Sequence, residues 1–391
     1  MTTEQEYYTK LTTAVQVYVS DVDELSPSER FWNESYEWLE SKGYRLRPRY
    51  RPGWKANWTK SWNKYEDSLI PRRPLMDATR ISDGKMVIMK RLWSPTHDHE
   101  IEFNRKFSSG ALATDPFNHS NYILDLLEVP GYVGLFLMVM PFMRSYNNPR
   151  FLTIGESMDF FQQLFEGIAF LHRQNIAHRD IHHGNVLMDA SDIYPEGFHP
   201  IAQDLTRDFK GAAKHYSRTE HPPRYYLIDL GLSRHYDPAN GPPLDWPVLG
   251  GNKTVPEFEG EGYKQLHDPF PTDIYYAGQL IREHFLRGLY DFHFIYDIVV
   301  QMVDPVPSER PNIEQVLSQL VELRASLTSR ELRTRALERK ELVTYMAPLR
   351  LYRAMSHSLR TLRYRFHKLP PIPSKTTEVD SREENVEVNS S

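Results

Sequence analysis

The stretch HRDIHHGNVLM, from His178 to Met188, decides how the rest of this sequence is interpreted. Its first eight positions hold three histidines, an arginine, an aspartate and an asparagine. Three interpretations are open at this point: a metal site, a catalytic loop, or a polar turn beside a helix. The residues around the stretch distinguish between them.

A zinc site would take its ligands from His178, His182 and His183, or from HDHE at residues 97–100. Neither group has two histidines at i and i+4 with the intervening glutamate that helical zinc motifs carry. The chain also has no cysteine, which excludes thiolate metal sites, thiol nucleophiles and disulfides. Metal binding by these histidines is therefore not favoured.

The sequence before this stretch has mostly strand patterns, and the sequence after it has mostly helix patterns. ATRISDGKMVIMKRL, residues 78–92, predicts two strands joined at Asp83-Gly84, which is a strong hairpin signal. Further strands are predicted within residues 122–130, 135–143 and 224–232. Helical spacing predicts helices over residues 153–175, 272–286 and 313–327, the first with Phe160, Leu164, Ile168 and Leu171 on one face. We expect an α+β fold, with a small β-rich lobe followed by a larger helical lobe.

The spacing of the polar residues fits phosphoryl transfer from a nucleotide. Asp180 and Asn185 are five positions apart, and a second aspartate follows in Asp229-Leu230-Gly231. Such a reaction uses one carboxylate to accept a hydroxyl proton, and an amide oxygen and a second carboxylate to hold magnesium. It also uses a lysine on a strand that contacts the phosphates and is held by a glutamate on a helix.

Several short motifs together resemble those of the eukaryotic protein kinase superfamily, and in particular fungal kinase-like proteins of unassigned function. HRDIHHGN matches the catalytic loop, IDLGLS resembles the Asp-Phe-Gly turn with leucine for phenylalanine, and VIMK resembles the VAIK strand. VPE at 255–257 resembles the end of an activation segment, TDIYYAG a buried helix beginning at Asp273, and SERPNIEQVL supplies Arg310 as a partner for Glu257. The motifs occur in the expected order over residues 77–323, so the resemblance implies a bilobal protein kinase-like fold that uses ATP and Mg²⁺.

The resemblance assigns roles to individual residues. Asp180 would be the catalytic base, with Arg179 and His182 beside it, and Asn185 and Asp229 would hold magnesium. Lys90 would contact the α- and β-phosphates, paired with Glu100 or, as a fallback, Glu102. Arg179 would need an anion, which a phosphate on Ser233, Tyr236 or Thr254 could supply. The nucleotide-binding residues would be Lys90, Glu100, the gatekeeper Met140, and Phe142 and Met143 of the adenine hinge at 141–143.

The sequence departs from the family pattern in three places. No Gly-x-Gly-x-x-Gly precedes Lys90, so the lid over the nucleotide must be looser, differently shaped or absent. His182 stands where Ser/Thr kinases usually carry a lysine, and a histidine is mostly neutral at pH 7. Asp180 and Asp229 are 49 positions apart, so residues 189–224 must contain an insertion, most simply a surface loop.

Three functions fit these observations. The first is an ATP-dependent protein kinase directed at Ser/Thr, which the joint presence of Lys90, Asp180, Asn185 and Asp229 favours. The second is a pseudokinase that binds nucleotide or acts as a scaffold, which the missing glycines and His182 favour. The third is a small-molecule kinase, because DIHHGN also resembles the loop of aminoglycoside and choline kinases.

The flanking sequence suggests five segments: an N-terminal extension (1–62), an N-lobe (63–143), a C-lobe (144–328), a basic helical segment (329–368) and a disordered acidic tail (369–391). The extension carries Arg49, Arg51, Trp54, Trp58 and Trp62, which we expect to pack onto the main domain; binding to single-stranded nucleic acid is the alternative. Between Tyr345 and Lys368 there are six basic residues and no acid, with an apolar stripe opposite the arginines. A docked or solvated helix is expected there, with an anionic membrane or a partner helix as the alternative.

The bulk composition is that of a chain long enough for one large domain or two medium ones. The chain has 391 residues, 40% of them hydrophobic, and a net charge of −5, so no basic field indicates nucleic acid as a partner. Its N-terminus has no secretory pattern, and its longest apolar run, residues 132–143, is shorter than the about 20 residues that a membrane span needs. We therefore expect a cytoplasmic protein, with a nuclear location also possible, whose partners are a nucleotide and an unknown protein substrate.

Overall fold

The computed structural model describes residues 24–58, 65–70, 75–248 and 254–374. Within these residues the chain has the predicted α+β composition, with a mainly β first part and a mainly helical second part. Trp62 and the sequence from residue 375 onward, which includes most of the predicted acidic tail, lie outside the described residues.

The first part is built on a five-stranded antiparallel sheet in the order β1-β2-β3-β5-β4. The predicted hairpin is present, and Gly84 in its turn has a φ of +70°, a conformation that favours glycine. Lys90 lies in the middle of this sheet, between Leu75 on one side and Met138 on the other. The strands are β1 (Tyr44–Arg45), β2 (Leu75–Arg80), β3 (Met86–Trp93), β4 (Asp125–Glu128) and β5 (Leu135–Pro141).

The predicted extension supplies part of this sheet's core. Helices α1 (Pro27–Glu34) and α2 (Tyr36–Ser41) begin after Ser26, whose backbone N–H donates to the Glu29 carboxylate at 3.0 Å. Phe31, Trp32 and Leu39 share one buried cluster with residues of the central strands. Helices α1 and α2 therefore pack against the sheet, and the chain that follows them adds β1 to it.

A second, larger hydrophobic cluster is formed by the helical part. Its central helix, α5 (Ile154–Arg173), begins at the N-cap Thr153 and buries the predicted face of Phe160, Leu164, Ile168 and Leu171. The predicted helix at Asp273 begins earlier, at Pro269, because Asp268 accepts the Phe270 N–H and Pro269 fits the first helical turn. Asp273 therefore lies one turn inside that helix.

The remaining elements are short strands and helices around this cluster. The helices are α3 (Asp98–Phe107), α4 (Gly110–Ala113), α6 (Pro269–Ile281, continued by a π-turn over Arg282–Leu286), α7 (Tyr296–Met302), α8 (Ile313–Ser326), α9 (Ser329–Leu332), α10 (Arg339–Thr344) and α11 (Ala347–Phe366). The strands are β6 (Arg144–Ser145), β7 (Ile176–Ala177), β8 (Val186–Asp189), β9 (Arg224–Leu227) and β10 (Arg234–His235). In the part of the chain that is described, no helix is long and apolar enough to cross a membrane.

Candidate active site

Lys90 is held by two carboxylates from distant parts of the chain. Its ammonium lies 2.6 Å from Glu100 Oε1 on α3 and 2.8 Å from Asp229 Oδ1 after β9. Burial alone would lower the pKa of Lys90, but these carboxylates outweigh it and raise that pKa. The predicted pairing with Glu100 is thus present, whereas the fallback, Glu102, is exposed.

The Asp229 turn is shaped so that both carboxylates can meet the lysine. Asp229 has a φ of +64°, a left-handed conformation that is uncommon outside glycine. A side chain on Gly231 would place its Cβ 3.1 Å from Glu100 Oε2, so the glycine leaves room for the carboxylate that binds Lys90. Burial opposes ionisation of Asp229, but Lys90 outweighs it and holds the pKa of the Asp229 carboxyl below its usual value.

The catalytic-loop backbone is fixed by a buried carboxylate. Asp273 of α6, which is fully buried, accepts the backbone N–H groups of His178 and Arg179, each at 2.7 Å. The ring of His178 contacts the carbonyl of Ile228 at 3.1 Å, so it is a structural link to the Asp229 turn. Arg179 has a φ of +70°, and the two bonds to Asp273 stabilise this uncommon conformation.

Asp180, Asn185 and His182 lie together at the end of this loop. The amide nitrogen of Asn185 donates to Asp180 Oδ2 and to the Asp180 carbonyl, each at 2.9 Å. His182 Nε2 lies 3.7 Å from the same Oδ2, and its Nδ1 accepts the Gly184 N–H at 2.9 Å. Asp180 raises the pKa of His182 above its ordinary value. Among the described residues Asp180 Oδ1 is buried without a hydrogen-bond partner, which fits an acceptor awaiting a hydroxyl group.

The loop and the Asp229 turn are neighbours because β8 pairs with β9. The Ile228 N–H donates to the Asn185 carbonyl at 3.0 Å, which brings Asp229 close to Asn185. The Asn185 amide nitrogen is engaged by Asp180, which leaves its oxygen for a cation. Within the described ranges no three His, Cys, Asp or Glu side chains could hold a metal ion. An asparagine and an aspartate suit Mg²⁺, which binds through one or two protein ligands, phosphates and water.

The predicted hinge follows β5 directly. Met140 is buried opposite Ile88, and Met143 is also buried. The ring of Phe142 is half-buried, and its centroid lies 5.9 Å from that of Phe198 in the insertion. Within the described chain, the N–H of Met143 has no backbone hydrogen-bond partner.

Arg179 has an anionic partner that the sequence analysis did not identify. Its guanidinium lies 3.2 Å from Asp245 Oδ2 and donates to the Trp246 carbonyl at 2.7 Å. The Tyr236 hydroxyl donates to the same carboxylate at 2.9 Å, and Ser233 donates to the His178 carbonyl. The carboxylate thus occupies the role for which we expected a phosphate. The only feature of the sequence that could have indicated Asp245 as this partner was its position in the segment between residues 230 and 256.

Glu257 and Arg310 form the pair that the sequence resemblance implied. Two guanidinium nitrogens bind the two carboxylate oxygens at 2.8 and 2.6 Å. Both side chains are almost completely buried, and Arg310 lowers the pKa of Glu257 against the effect of burial. This pair fixes the end of the segment that contains Asp245 onto the helical part.

The connection between β1 and β2 (residues 46–74, described at 46–58 and 65–70) stands where the family has its glycine motif. Arg47 in this connection binds Asp77 of β2 at 2.9 Å, Glu66 at 3.1 Å and the Leu69 carbonyl at 2.8 Å. The connection is therefore held by side-chain contacts to the strand that it precedes.

The basic and aromatic residues of this connection also have partners within the protein. Arg49 is buried against Glu29 at 2.7 Å and lies over the Trp54 ring. Arg51 donates to the Tyr36 hydroxyl, and the Trp54 N–H donates to Asp67. Arg49 is thus part of the buried packing and Trp54 is half-buried beside it, whereas Arg51 is exposed.

The insertion at residues 189–224 reaches the same connection from the helical part. His199 contacts Glu66 at 3.3 Å, and Arg207 donates to the Gly84 carbonyl at 2.7 Å and to Thr79 Oγ1 at 3.0 Å. Burial opposes ionisation of Glu66, but His199 and Arg47 hold the pKa of its carboxyl at about 2. The insertion is therefore an ordered bridge between the two parts, not only a surface loop.

The comparisons with known proteins agree with this geometry. Residues 75–240 match the family model of the protein kinase domain. A serine/threonine-protein kinase, oca2 of Schizosaccharomyces pombe, is 31% identical over 118 residues, which are 29% of this chain and 18% of that protein. The matched region thus spans less than a fifth of the length of this relative. The fold and the site thus agree with the match of residues 75–240 to a protein kinase domain, which is the family that the sequence resembles.

Proposed function

We propose that this protein is an ATP-dependent protein kinase that transfers the γ-phosphoryl group to a serine or threonine hydroxyl. The observation that carries the proposal is the pairing of Lys90 with Glu100 at 2.6 Å and with Asp229 at 2.8 Å. Stability alone does not require a buried lysine between two carboxylates from distant segments. The printed name of the S. pombe relative supports serine and threonine as acceptors.

In this proposal each residue has one task. Asp180 accepts the proton of the attacking hydroxyl through the oxygen that has no partner, and Asn185 orients its other oxygen. Lys90 contacts the nucleotide phosphates, and Glu100 keeps its ammonium directed into the site. His182 carries a proton on Nε2 beside Asp180 and takes the place of the usual lysine.

Asn185 and Asp229 would hold Mg²⁺, which supplies charge stabilisation to the phosphates when bound. Asp229 remains 45% exposed and ionised, so it retains coordinating capacity beside its bond to Lys90. Met140, Phe142 and Met143 would line the adenine site, since the Met143 N–H has no backbone partner within the described residues. We further infer that the two hydrophobic clusters are the cores of the two kinase lobes, with the nucleotide between them.

One observation favours the second candidate, a pseudokinase that binds nucleotide without transferring phosphate. The β1–β2 connection lacks the glycine motif and is fixed by Arg47 and by the bond between Glu66 and His199. The described part of this connection is held by side chains, whereas a glycine motif contacts phosphates through backbone N–H groups. Both candidate functions include nucleotide binding, but only the protein kinase transfers a phosphoryl group.

The experiment measures both properties on the full chain. Binding of magnesium-ATP is followed by thermal shift, and transfer by the labelling of the protein and of a generic acceptor with γ-labelled ATP. Asp180→Asn should abolish transfer and leave binding intact, whereas Asp237→Asn, an exposed aspartate of the neighbouring segment, should leave both unchanged. Binding without transfer in the unmodified protein would establish the pseudokinase instead. Transfer that only a small alcohol stimulates would indicate a small-molecule kinase.

A further inference from the structure

Helix α11 is attached to the protein by its polar face. Arg353, His357 and Tyr364, spaced by four and seven residues, face the domain, and Tyr364 is only 2% exposed. Arg353 binds the buried Glu341 at 3.1 Å, and Arg363 at the edge of this face binds Glu220 at 3.1 Å. The orientation is the reverse of that of an ordinary surface helix, whose apolar face is buried.

The opposite face of α11 is apolar and open to solvent. Its large side chains, each between 58% and 84% exposed, are Leu351, Tyr352, Met355, Leu359, Leu362 and Phe366. Val343 and Met346, at 90% and 82% exposure, extend the surface beyond the start of the helix. Isolated apolar residues are normal on a protein surface, but a continuous stripe of this length marks an interaction site.

The helix cannot easily turn this face inward, because its end is anchored. Beyond α11, Ile372 is buried in the large cluster and the Leu369 carbonyl accepts a bond from Arg333 at 2.6 Å. The carbonyl of Pro371 lies against Gly155 at the start of α5, where it occupies the space that a Cβ would need. The apolar stripe is therefore a preformed surface about 24 Å long, from the rise of 1.5 Å per residue over residues 351–366.

We propose that this face binds an anionic membrane surface, with α11 lying in the plane of the headgroups. The charge beside the stripe selects this occupant. Residues 345–368 contain six basic side chains and no acid; Arg353 and Arg363 are paired with Glu341 and Glu220, whereas Arg365 and Lys368 are exposed. Arg363 and Arg365 stand on the two sides of the stripe and are exposed. Anionic headgroups complement these arginines while the acyl boundary accepts the apolar side chains.

The same charges disfavour a second copy of the chain as the occupant. Two identical stripes that face each other would bring the exposed Arg365 of both copies to the same interface, where α11 has no acid of its own to pair with it. The proposal does not depend on the transferase activity, since none of its residues belongs to the candidate active site. A failure of one proposal is therefore distinguishable from a failure of the other.

The test measures binding of the full chain to vesicles of phosphatidylcholine, with and without phosphatidylserine, by co-sedimentation. Changing Leu359 and Leu362 to serine should reduce binding to the anionic vesicles at least about tenfold, because two apolar side chains no longer enter the membrane. Changing Arg363 and Arg365 to glutamine should reduce it about 30-fold, and added salt should weaken it in the unmodified protein.

The matched control is a pair of serine substitutions at Val300 and Val321, which are 45% and 56% exposed on α7 and α8. This pair should leave binding unchanged, and thermal unfolding should confirm that all variants are folded. The proposal is overturned by an unmodified protein that does not bind, or that binds neutral and anionic vesicles equally. It is also overturned if the protein self-associates through the stripe, or if binding appears only after removal of residues 375–391.

Discussion

Replacement of Asp245 by asparagine tests whether a carboxylate of the chain itself orders the segment beside the catalytic loop. The substitution keeps the shape of the side chain and removes its charge. Asp245 lies 3.2 Å from both Arg179 and Arg234 and accepts a bond from Tyr236 at 2.9 Å. The variant leaves the Arg179 guanidinium, which is 8% exposed, without a countercharge.

The expected loss follows from the burial of the Arg179–Asp245 pair. Removal of one partner of a buried ion pair typically costs about 3–5 kcal/mol. Arg179 retains bonds to the carbonyls of Leu232 and Trp246, and Arg234 is 60% exposed, so its own pairing contributes little. We therefore expect Asp245→Asn to lower the stability by about 2–4 kcal/mol. The loss should affect mainly the local stability of residues 232–248, because the rest of the core is untouched.

The assay is hydrogen exchange of residues 232–248, together with the phosphoryl-transfer rate. Exchange there should accelerate at least about 30-fold for a loss of 2 kcal/mol, and transfer should fall in parallel. A double-mutant cycle with Arg179→Gln should give a coupling energy of about 2 kcal/mol, while Asp237→Asn serves as the control. Additive effects, with a coupling energy below about 0.5 kcal/mol, would refute the reasoning.

Three further predictions concern other contacts. Gly231→Ala places a Cβ 3.1 Å from the buried Glu100 carboxylate that binds Lys90. If Lys90 contacts the nucleotide as proposed, magnesium-ATP affinity should fall while the melting temperature hardly changes; unchanged affinity in titration calorimetry would contradict this. The pKa of the Glu66 carboxyl lies at about 2 in the folded protein, below its usual 4.5, so it contributes stability above pH 4.5 that is lost as the pH falls toward 2. Glu66→Gln should therefore lose less unfolding free energy between pH 5 and pH 3 than the unmodified protein, and equal slopes in urea titrations would argue against the linkage. Arg310→Met leaves the Glu257 carboxylate buried without a countercharge and should destabilise the fold by about 3–5 kcal/mol in urea unfolding; Arg173→Met, which breaks an exposed pair, should cost less than about 1 kcal/mol.

The sequence predicted those parts of the site that depend on local patterns. The Asp83-Gly84 hairpin fixes the register of β3, and this register places Lys90 in the centre of the sheet. The apolar spacing after Glu100 predicts a helix whose buried face includes that carboxylate. Both features follow from residues close together in the chain, so a single sequence contains enough information for them.

The contacts that the sequence did not predict join residues far apart in the chain. Asp245 and Arg179 are 66 positions apart, and nothing in the composition of residues 230–256 distinguishes this aspartate from the one at 237. The sequence also did not predict which face of α11 is docked, because that depends on contacts with residues distant in the chain. Its apolar stripe is evident from the sequence, but only the contacts of Arg353 and Tyr364 show that the polar face is the docked one.

The insertion and the missing glycine motif, which are separate departures in the sequence, are one feature in the structure. His199 of the insertion binds Glu66 of the connection that replaces the motif, and Arg207 holds the β2–β3 turn through Gly84 and Thr79. A glycine motif closes over phosphates because its backbone is unrestrained. Here the connection takes its position from side chains that the helical part supplies. The insertion therefore holds Glu66 and the β2–β3 turn from the helical part, and loss of His199 should release the described residues around Glu66.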